Sequence, residues 1–230
     1  MTKLLEVRNL ALSLRSGESP LFEVQSFELE SGERLSLMGP SGTGKTLFLR
    51  SICMLEPHAT GDIKWKGTTI SNNQIPQYRS RVIYVGQRSA LSYGTARSSI
   101  EEVFKYKVHR GRVWNAESTR NALIQLGKGD RFLDKTVDHL SGGEKQILNI
   151  LKAVALQPEV ICFDEPTSAL DFDSTLKMEN WLKANYHGSW IWVTHQSDQA
   201  KRLGKRIKFQ SLYQREDQYS SCSQQARRHY

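Results

Sequence analysis

The chain has 230 residues, a length that suits one domain of ordinary to large size or two small ones. Apolar residues make up 38% and charged residues 24%, a balance that excludes a disordered or fibrous chain. Lysine and arginine outnumber aspartate and glutamate by 32 to 24, giving a net charge of +8. This excess favours a polyanionic partner such as a nucleotide, a nucleic acid or an anionic membrane, with an ordinary basic protein as the equal alternative.

The sequence predicts neither a membrane span nor a secretion signal. Its apolar runs, such as 160–163 and 190–193, are far shorter than the roughly 20 residues of a membrane-spanning helix. Charged residues stand near the start, where a secretion signal would carry its apolar core. The cysteines Cys53, Cys162 and Cys222 show no paired spacing, which indicates a reducing compartment without disulfides.

In chain order, the pattern predicts strands, then a glycine-rich loop, then a largely helical part and two further strands. The first strands are expected at 4–14, Phe22–Glu30 and Arg34–Met38, followed by a helix over 46–55 and a strand over 81–85. Residues 97–156 have mostly helical periodicity. Apolar runs at 160–163 and 190–194, with a helix over 174–185 between them, are typical of a parallel sheet. We therefore expect an α/β fold in which a helical segment is inserted, with residues 211–230 as a polar extension.

The strongest motif is the segment Gly39-Pro40-Ser41-Gly42-Thr43-Gly44-Lys45-Thr46, which fits the phosphate-loop pattern G-x-x-x-x-G-K-[ST] in full. It lies between a predicted strand and a predicted helix, as such a loop must. Its glycines let backbone N–H groups turn toward phosphate oxygens, and the helix N-terminus adds positive potential. Lys45 is expected to reach the β- and γ-phosphates, and the Thr46 hydroxyl suits a magnesium ion, which prefers oxygen ligands.

A second motif places two carboxylates directly after an apolar strand, as Asp164 and Glu165. Alone, such a pair is as often a solvated strand end. Beside a phosphate loop, at the carboxyl end of a strand where ligands gather in open α/β sheets, it predicts a catalytic centre. Asp164 is expected to hold magnesium, directly or through water, and Glu165 to polarise the attacking water.

A third motif is Leu140-Ser141-Gly142-Gly143-Glu144-Lys145-Gln146. Ser141 and Glu144 have the spacing of a helix capping box, which by itself indicates only a helix start. Glycines in a first helical turn weaken the helix by about 1 kcal/mol each. Their presence favours a second helix start where the backbone approaches an anion closely.

Together these motifs resemble the ATP-binding subunit of ABC transporters. The segments 39–46, Gln87, 140–146, 160–165, 168–171 and His195 occur in that family's order, and the resemblance covers roughly residues 3–210. The Leu-Ser-Gly-Gly-Glu segment is close to diagnostic of the family, whereas many ATPases share the phosphate loop. The resemblance implies a P-loop NTPase core with N-terminal antiparallel strands and an inserted helical subdomain. It implies one domain over 1–210, with its core at 1–87 and 156–210 and the helical subdomain at 88–155.

The resemblance also implies a role for each matched residue. The implied catalytic residues are Lys45, Gln87, Glu165 and His195, and the implied magnesium ligands are Thr46, Gln87 and Asp164. The implied nucleotide-binding residues of the phosphate loop are Gly39, Pro40, Ser41, Gly42, Thr43, Gly44, Lys45, Thr46 and Leu47. The Leu-Ser-Gly-Gly-Glu segment is the signature of the family, and its implied nucleotide-binding residues are Ser141, Gly142, Gly143 and Glu144. In the family, the signature binds ATP held by a second subunit, Asp171 matches the interface loop, and His195 matches the switch histidine.

The implied cofactors are ATP and Mg²⁺, and the implied partners are an integral membrane permease and a second ATPase subunit, most simply in a homodimer. No nucleic acid is expected, and the implied location is peripheral, at the cytoplasmic face of the inner (plasma) membrane. The chain departs from the family where an aromatic residue often stacks on adenine. Leu14 or Arg15 stands there instead, which leaves the preference for ATP over GTP open.

Two other function classes stay open at this stage. One is a soluble ATPase of the same family that moves no solute, such as a nucleic-acid repair, translation or assembly factor. The short segment between Gln87 and Ser141 and the single cassette argue against the repair and translation classes. The other is a regulatory protein that holds ATP without hydrolysing it, and the intact Glu165 and His195 argue against that.

Overall fold

Two β-sheets organise the computed structural model, which describes residues 3–13, 20–57, 59–89, 91 and 93–209. The strands are β1 (Lys3–Leu12), β2 (Phe22–Glu30), β3 (Arg34–Met38), β4 (Ala59–Trp65), β5 (Thr68–Thr69), β6 (Val82–Val85), β7 (Val160–Asp164), β8 (Ser189–Val193) and β9 (Lys205–Lys208). The α-helices are α1 (Lys45–Ile52), α2 (Ile75–Arg79), α3 (Ala96–Phe104), α4 (Ala116–Gln125), α5 (Gly142–Ala155), α6 (Phe172–Asn185) and α7 (Ser197–Leu203).

The smaller sheet is antiparallel and has the strand order β2-β1-β4-β5. Side chains alternate along β1, so Leu5 and Val7 are fully buried while Arg8 points to solvent. On that outer face Arg8 forms an ion pair of 2.6 Å with Glu28 of the neighbouring strand. The alternation explains why one face of this sheet packs on the core and the other is charged.

The larger sheet is parallel throughout and has the strand order β6-β7-β8-β3-β9. Strands β7 and β8 are buried at every position, as their continuous apolar sequences predict. Asp164 lies opposite Val193 in register, and Leu37 lies opposite Val193 on the other side. The carboxyl ends of β3, β7 and β8 therefore meet at one edge, where α/β sheets bind their ligands.

Each face of the parallel sheet is covered by its own hydrophobic cluster. Ile161 and Phe163 of β7 belong to the cluster formed with α3, α4, α5 and α6. Val160 and Cys162, which alternate with them, belong to the cluster formed with α1 and the antiparallel sheet. The segment that carries the third motif is thus packed directly on the sheet, through Ile147 and Leu148 of α5 among others.

The α/β class expected from the sequence is confirmed, and the differences lie at element ends. Helix α1 begins at Lys45 and ends at Ile52, because Met54 adopts a left-handed φ of 54°. The helical region resolves into α3, α4 and α5. The sequence does not predict β4, β5 or β9, because none of them has an alternating or continuous apolar pattern. The bounds of the helical subdomain at 88–155 stay a prediction, and residues 211–230 lie outside the described part of the chain.

Candidate active site

The phosphate loop connects the end of β3 to the start of α1. Gly44 immediately precedes α1 with a left-handed φ of 87°, and a Cβ there would lie 2.7 Å from Cβ of Phe22. The backbone conformation and the close approach of the chain at Phe22 therefore both require glycine. The N-cap residue Gly44 has no side chain that could cap α1, so the first N–H groups of the helix can bind the oxygens of an anion.

Lys45 is held inside this loop by the loop's own carbonyl groups. Its Nζ donates hydrogen bonds to the carbonyl oxygens of Gly39 at 2.9 Å and Pro40 at 2.6 Å. Burial lowers the pKa of Lys45, while the carboxylates of Glu165 and Asp164 act in the opposite direction. The three charged groups therefore lie within electrostatic reach of one another at the phosphate-loop motif.

Glu165 and His195 form the central pair of the site. Glu165 directly follows the last residue of β7, and His195 lies two residues after the end of β8. Oε1 of Glu165 lies 2.8 Å from Nε2 of His195. Glu165 has a left-handed φ of 48°, and its N–H donates to the carbonyl of Val193 at 3.2 Å. A non-glycine residue in this region costs about 1–2 kcal/mol, and such strain is often found at functional sites. The structure thus joins the two residues that the sequence placed in the same site.

Asp164 ends β7 with a buried carboxylate, and a tyrosine that the sequence analysis missed contacts it. The hydroxyl of Tyr84 on β6 donates to Oδ2 of Asp164 at 2.8 Å. Burial, followed by the charge of Asp164, raises the pKa of Tyr84 far above its usual value, so the phenol keeps its proton. A Cβ at Gly86 would lie 2.9 Å from the Tyr84 ring, so glycine makes room for it. Nothing in the sequence of β6 distinguishes Tyr84 from an ordinary strand tyrosine; the pairing of β6 with β7 reveals it.

The oxygen groups near the loop fit a magnesium ion that is bound together with phosphate. Asp164 supplies one buried carboxylate, and the hydroxyl of Thr46 is exposed in the first turn of α1. Within the described residues, no group of three or more His, Cys, Asp or Glu side chains could form a metal cage by itself. Magnesium commonly takes only one or two protein carboxylates and completes its shell with phosphate and water, so this sparse set suits it. Gln87 is exposed beside β6.

The signature segment forms the start of α5. Ser141 caps the helix: its Oγ accepts from the N–H of Glu144 at 3.2 Å, and Glu144 accepts from the N–H of Ser141 at 2.9 Å. Partial burial alone would raise the pKa of Glu144, but hydrogen bonds from Ser141 and the Lys135 ammonium group outweigh it and lower that pKa. The capping box expected from the sequence is therefore present, and Ser141 and Gly142 face solvent.

Gln146 joins the signature helix to two other motifs. Its Nε2 donates to the carbonyl of Gln87 at 3.2 Å and to Oγ of Ser168 at 3.0 Å, and its Oε1 accepts from the N–H of Ala169 at 2.9 Å. Gly143 lies against the same loop, because a Cβ there would be 2.9 Å from the carbonyl oxygen of Ala169. The contacts of the signature thus run to 168–169 and Gln87, and the sequence analysis missed the role of Gln146.

The remaining matched residues divide between described and undescribed parts. Asp171 is the N-cap of α6, where its Oδ1 accepts from the N–H of Ser174 at 2.8 Å. Leu14 and Arg15, the residues named for the adenine position, lie outside the described residues.

Comparison with known proteins adds family membership to this geometry. The family model for ABC transporters matches residues 22–168. The spermidine/putrescine import ATP-binding protein PotA of Legionella pneumophila strain Lens is 31% identical over 90% of this chain and 56% of its own length. The histidine/lysine/arginine/ornithine transport ATP-binding protein HisP of Escherichia coli K12 is 31% identical over 86% of this chain and 83% of its own length. The chain spans little more than half the length of the PotA relatives it matches.

Solved structures agree with the family match. The dimeric post-hydrolysis state of an ATP-binding cassette bound to ADP and Pi superposes with a TM-score of 0.77 at 26% identity, covering 90% of this chain and 95% of that one. A bacterial Atm1-family ABC exporter with ATP bound has a similar fold, with a TM-score of 0.77 at 22% identity, over 91% of this chain and 37% of that one. In the described part of the chain, no helix combines the length and the apolar character needed to cross a membrane. The chain belongs to the ABC transporter family, and the relatives that it matches are the ATP-binding subunits of that family.

Proposed function

We propose that this protein binds and hydrolyses ATP and thereby powers the movement of a solute through a separate membrane permease. The observation that carries the proposal is the Glu165–His195 pair, which lies 2.8 Å apart at the sheet edge that also carries Lys45. A protein that only stored ATP would not require a carboxylate and a histidine aligned in this way beside its phosphate loop.

The proposed chemistry is mainly positioning and electrostatics. Lys45 and the N–H groups of the phosphate loop bind the phosphates and neutralise charge that moves to the leaving group. Glu165 orients the attacking water and accepts its proton, while His195 holds Glu165 and binds the γ-phosphate. Thr46, Asp164 and Gln87 are the residues that would hold Mg²⁺, which supplies charge neutralisation at the phosphate oxygens.

We further propose that two chains act as a head-to-tail pair, in which the signature of one faces the phosphate loop of the other. Ser141 and Gly142 are exposed at the start of α5, where they are open to such a partner. Phe172, next to Asp171 at the start of α6, is 67% exposed, as an aromatic residue in a subunit interface would be before assembly. The similar cassette structure with bound ADP and Pi is itself a dimer, which supports this arrangement.

The similar proteins bear on partner and location. The names of the curated relatives describe import of polyamines, sulfate or phosphate and transport of basic amino acids, so they favour solute uptake without agreeing on one solute. They do not favour the alternative of a soluble ATPase without a transport role. We place the protein at the cytoplasmic face of the inner (plasma) membrane, held there by its permease.

The test is an affinity pull-down from detergent-solubilised membranes with Glu165→Gln beside the wild type. Glu165→Gln keeps the shape of the side chain and removes its basicity, so it is expected to bind ATP, abolish hydrolysis and stabilise the dimer. Glu117→Gln, on the exposed surface of α4, serves as the matched control and is expected to hydrolyse normally. Co-elution of one membrane protein supports the proposal. Hydrolysis that survives in Glu165→Gln, or recovery of soluble partners alone, would overturn it.

A further inference from the structure

Gln199 contacts both of the segments that carry the Glu165–His195 pair. It lies on α7 and is 3% exposed. Its Oε1 accepts a hydrogen bond from the Thr194 hydroxyl at 2.6 Å, and its Nε2 donates to Oγ1 of Thr167 at 3.0 Å. Thr194 immediately precedes His195, and Thr167 follows Glu165 by two residues. The buried amide of Gln199 therefore connects the segment that follows Glu165 to the segment that precedes His195.

The orientation of this amide is fixed by the ion pair of Glu179 and Arg202, whose carboxylate is buried and whose guanidinium is partly exposed. Nε2 of Gln199 also donates to Oε1 of Glu179 at 3.0 Å, and Glu179 is fully buried on α6. The Arg202 guanidinium donates to both oxygens of Glu179, at 2.7 and 2.9 Å. A buried carboxylate is tolerated only when its charge and lone pairs are satisfied, and Arg202 together with Gln199 does this. Glu179 therefore holds the amide N–H group on its own side and leaves the amide oxygen facing Thr194.

The Thr194 hydroxyl connects the Gln199 amide to the backbone around His195. Its oxygen accepts the N–H of Gln196 at 3.0 Å while its proton is donated to Gln199. The hydroxyl thus contacts the chain on the far side of His195 and restrains the backbone around that residue. In enzymes, a displacement of about 1 Å at reacting groups lowers the rate by up to about 100-fold.

We propose that Gln199 is a positioning residue for ATP hydrolysis, which holds Glu165 and His195 in register through Thr167 and Thr194. This inference rests on the proposed function of the site. Gln199 is buried and hydrogen-bonded to the two threonine hydroxyl groups, so it acts through them and not on the nucleotide directly. Loss of its amide therefore affects the chemical step and leaves the phosphate loop, and with it ATP binding, intact.

The first experiment compares Gln199→Leu with the wild type in steady-state hydrolysis and in thermal unfolding. We expect kcat to fall about tenfold while KM for ATP stays within about twofold. Met178→Ala is the control for stability alone, because Met178 is fully buried beside Glu179 and takes no part in the hydrogen bonds. It is expected to lower the melting temperature and to keep kcat per folded molecule. An unchanged kcat in Gln199→Leu, or an equal loss of kcat in Met178→Ala, would overturn the inference.

A second experiment tests the same link from Thr194. Thr194→Val removes the hydroxyl at nearly constant shape, and Thr194→Ser keeps it as the conservative control. Thr194→Val is expected to lower kcat as Gln199→Leu does, Thr194→Ser to keep it, and the combination of Thr194→Val with Gln199→Leu to lose little more than either alone. Additive losses would contradict an action through Thr194. If Gln199→Leu does not fold, the comparison of Thr194→Val with Thr194→Ser tests the inference. A wild type without hydrolysis would refute the proposed function itself, whereas an active wild type with unaffected variants would refute only the role of Gln199.

Discussion

The Tyr84 hydroxyl donates a hydrogen bond to one oxygen of the Asp164 carboxylate, and this bond fixes the orientation of the whole carboxylate group. Because the phenol stays protonated, it acts as a permanent donor at 2.8 Å. A carboxylate held in this way loses less conformational freedom when it binds a cation than a freely rotating one does. Tyr84 therefore belongs to the site although it carries no reactive group.

Replacing Tyr84 by Phe keeps the ring and removes this hydrogen bond. Loss of a hydrogen-bond partner of a metal ligand typically lowers metal affinity about 10–100-fold, so we expect hydrolysis to require about tenfold more Mg²⁺ for half-maximal rate. The measurement is a Mg²⁺ titration at saturating ATP, accompanied by a Mg²⁺ titration of nucleotide binding. Tyr93→Phe, at a position that is 91% exposed, is the matched control. Identical Mg²⁺ dependence in Tyr84→Phe and the wild type would show that the hydroxyl has no part in the site.

At the scale of elements, the start of α5 combines two glycines that have different surroundings. A Cβ at Gly143 would lie 2.9 Å from the Ala169 carbonyl oxygen, whereas a Cβ at Gly142 would meet the Ala169 Cβ at an ordinary 3.7 Å. Helix propensity alone would make alanine better than glycine at both positions, by about 1 kcal/mol. Packing against the loop at Ala169 therefore leaves room for an alanine side chain at Gly142 but not at Gly143.

We expect Gly143→Ala to be destabilised and Gly142→Ala to be as stable as the wild type or slightly more stable. The difference follows from the backbone carbonyl at Ala169, which cannot move aside as a flexible side chain would. Urea unfolding of the two variants measures it directly. Equal free energies of unfolding would mean that the loop at Ala169 adjusts freely, and the packing argument would be wrong.

Glu144 links the same helix start to pH. Its folded-state pKa lies below the ordinary value of 4.5, so its contribution to stability is present above that value and is lost as pH falls through the lowered pKa. Glu144→Gln keeps the side chain's length without the charge and is expected to be less stable than the wild type at neutral pH. The difference in free energy of unfolding should be constant above about pH 5 and shrink on acidification. A difference that does not change with pH would exclude the ion pair with Lys135 as its cause.

At the scale of the whole molecule, the proposed head-to-tail pair predicts complementation between inactive chains. Lys45→Ala removes the phosphate-loop cation, and Ser141→Arg blocks the signature, so each variant alone is expected to be inactive. A mixed dimer contains one site built from an intact phosphate loop and an intact signature. With random pairing, an equal mixture should recover about a quarter of wild-type hydrolysis, because half the dimers are mixed and each has one working site. No recovery after demonstrated subunit exchange would contradict the shared-site arrangement.

The parts of this site that follow from sequence are those with local spacing. Gly39–Thr46 forms its loop from contiguous residues, and the capping box of Ser141 and Glu144 spans one helical turn, so both could be predicted. The strands that end at Asp164 and Val193 were recognisable because they are apolar without interruption.

Other features depend on pairings that only the folded chain makes. Tyr84 reaches Asp164 because β6 pairs with β7, and Gln199 reaches Thr167 across a separation of 32 residues. Strand β9 has the sequence Lys-Arg-Ile-Lys, which carries no strand pattern of its own. It is defined by pairing with β3, next to Gly204, where a Cβ would lie 2.2 Å from the Arg34 carbonyl oxygen. Local propensity contains no information on such long-range contacts.

The strand order of the parallel sheet places Glu165 and His195 after interior strands and Gln87 after an edge strand. Strands β7 and β8, which precede Glu165 and His195, are interior, whereas β6, which precedes Gln87, lies at an edge. Amide hydrogens of interior strands exchange with solvent only in large-scale opening, while those of edges exchange through local fraying. The amides of β7 and β8 beside Glu165 and His195 are therefore expected to exchange slowly, and those of the segment that leads from β6 to Gln87 to exchange faster.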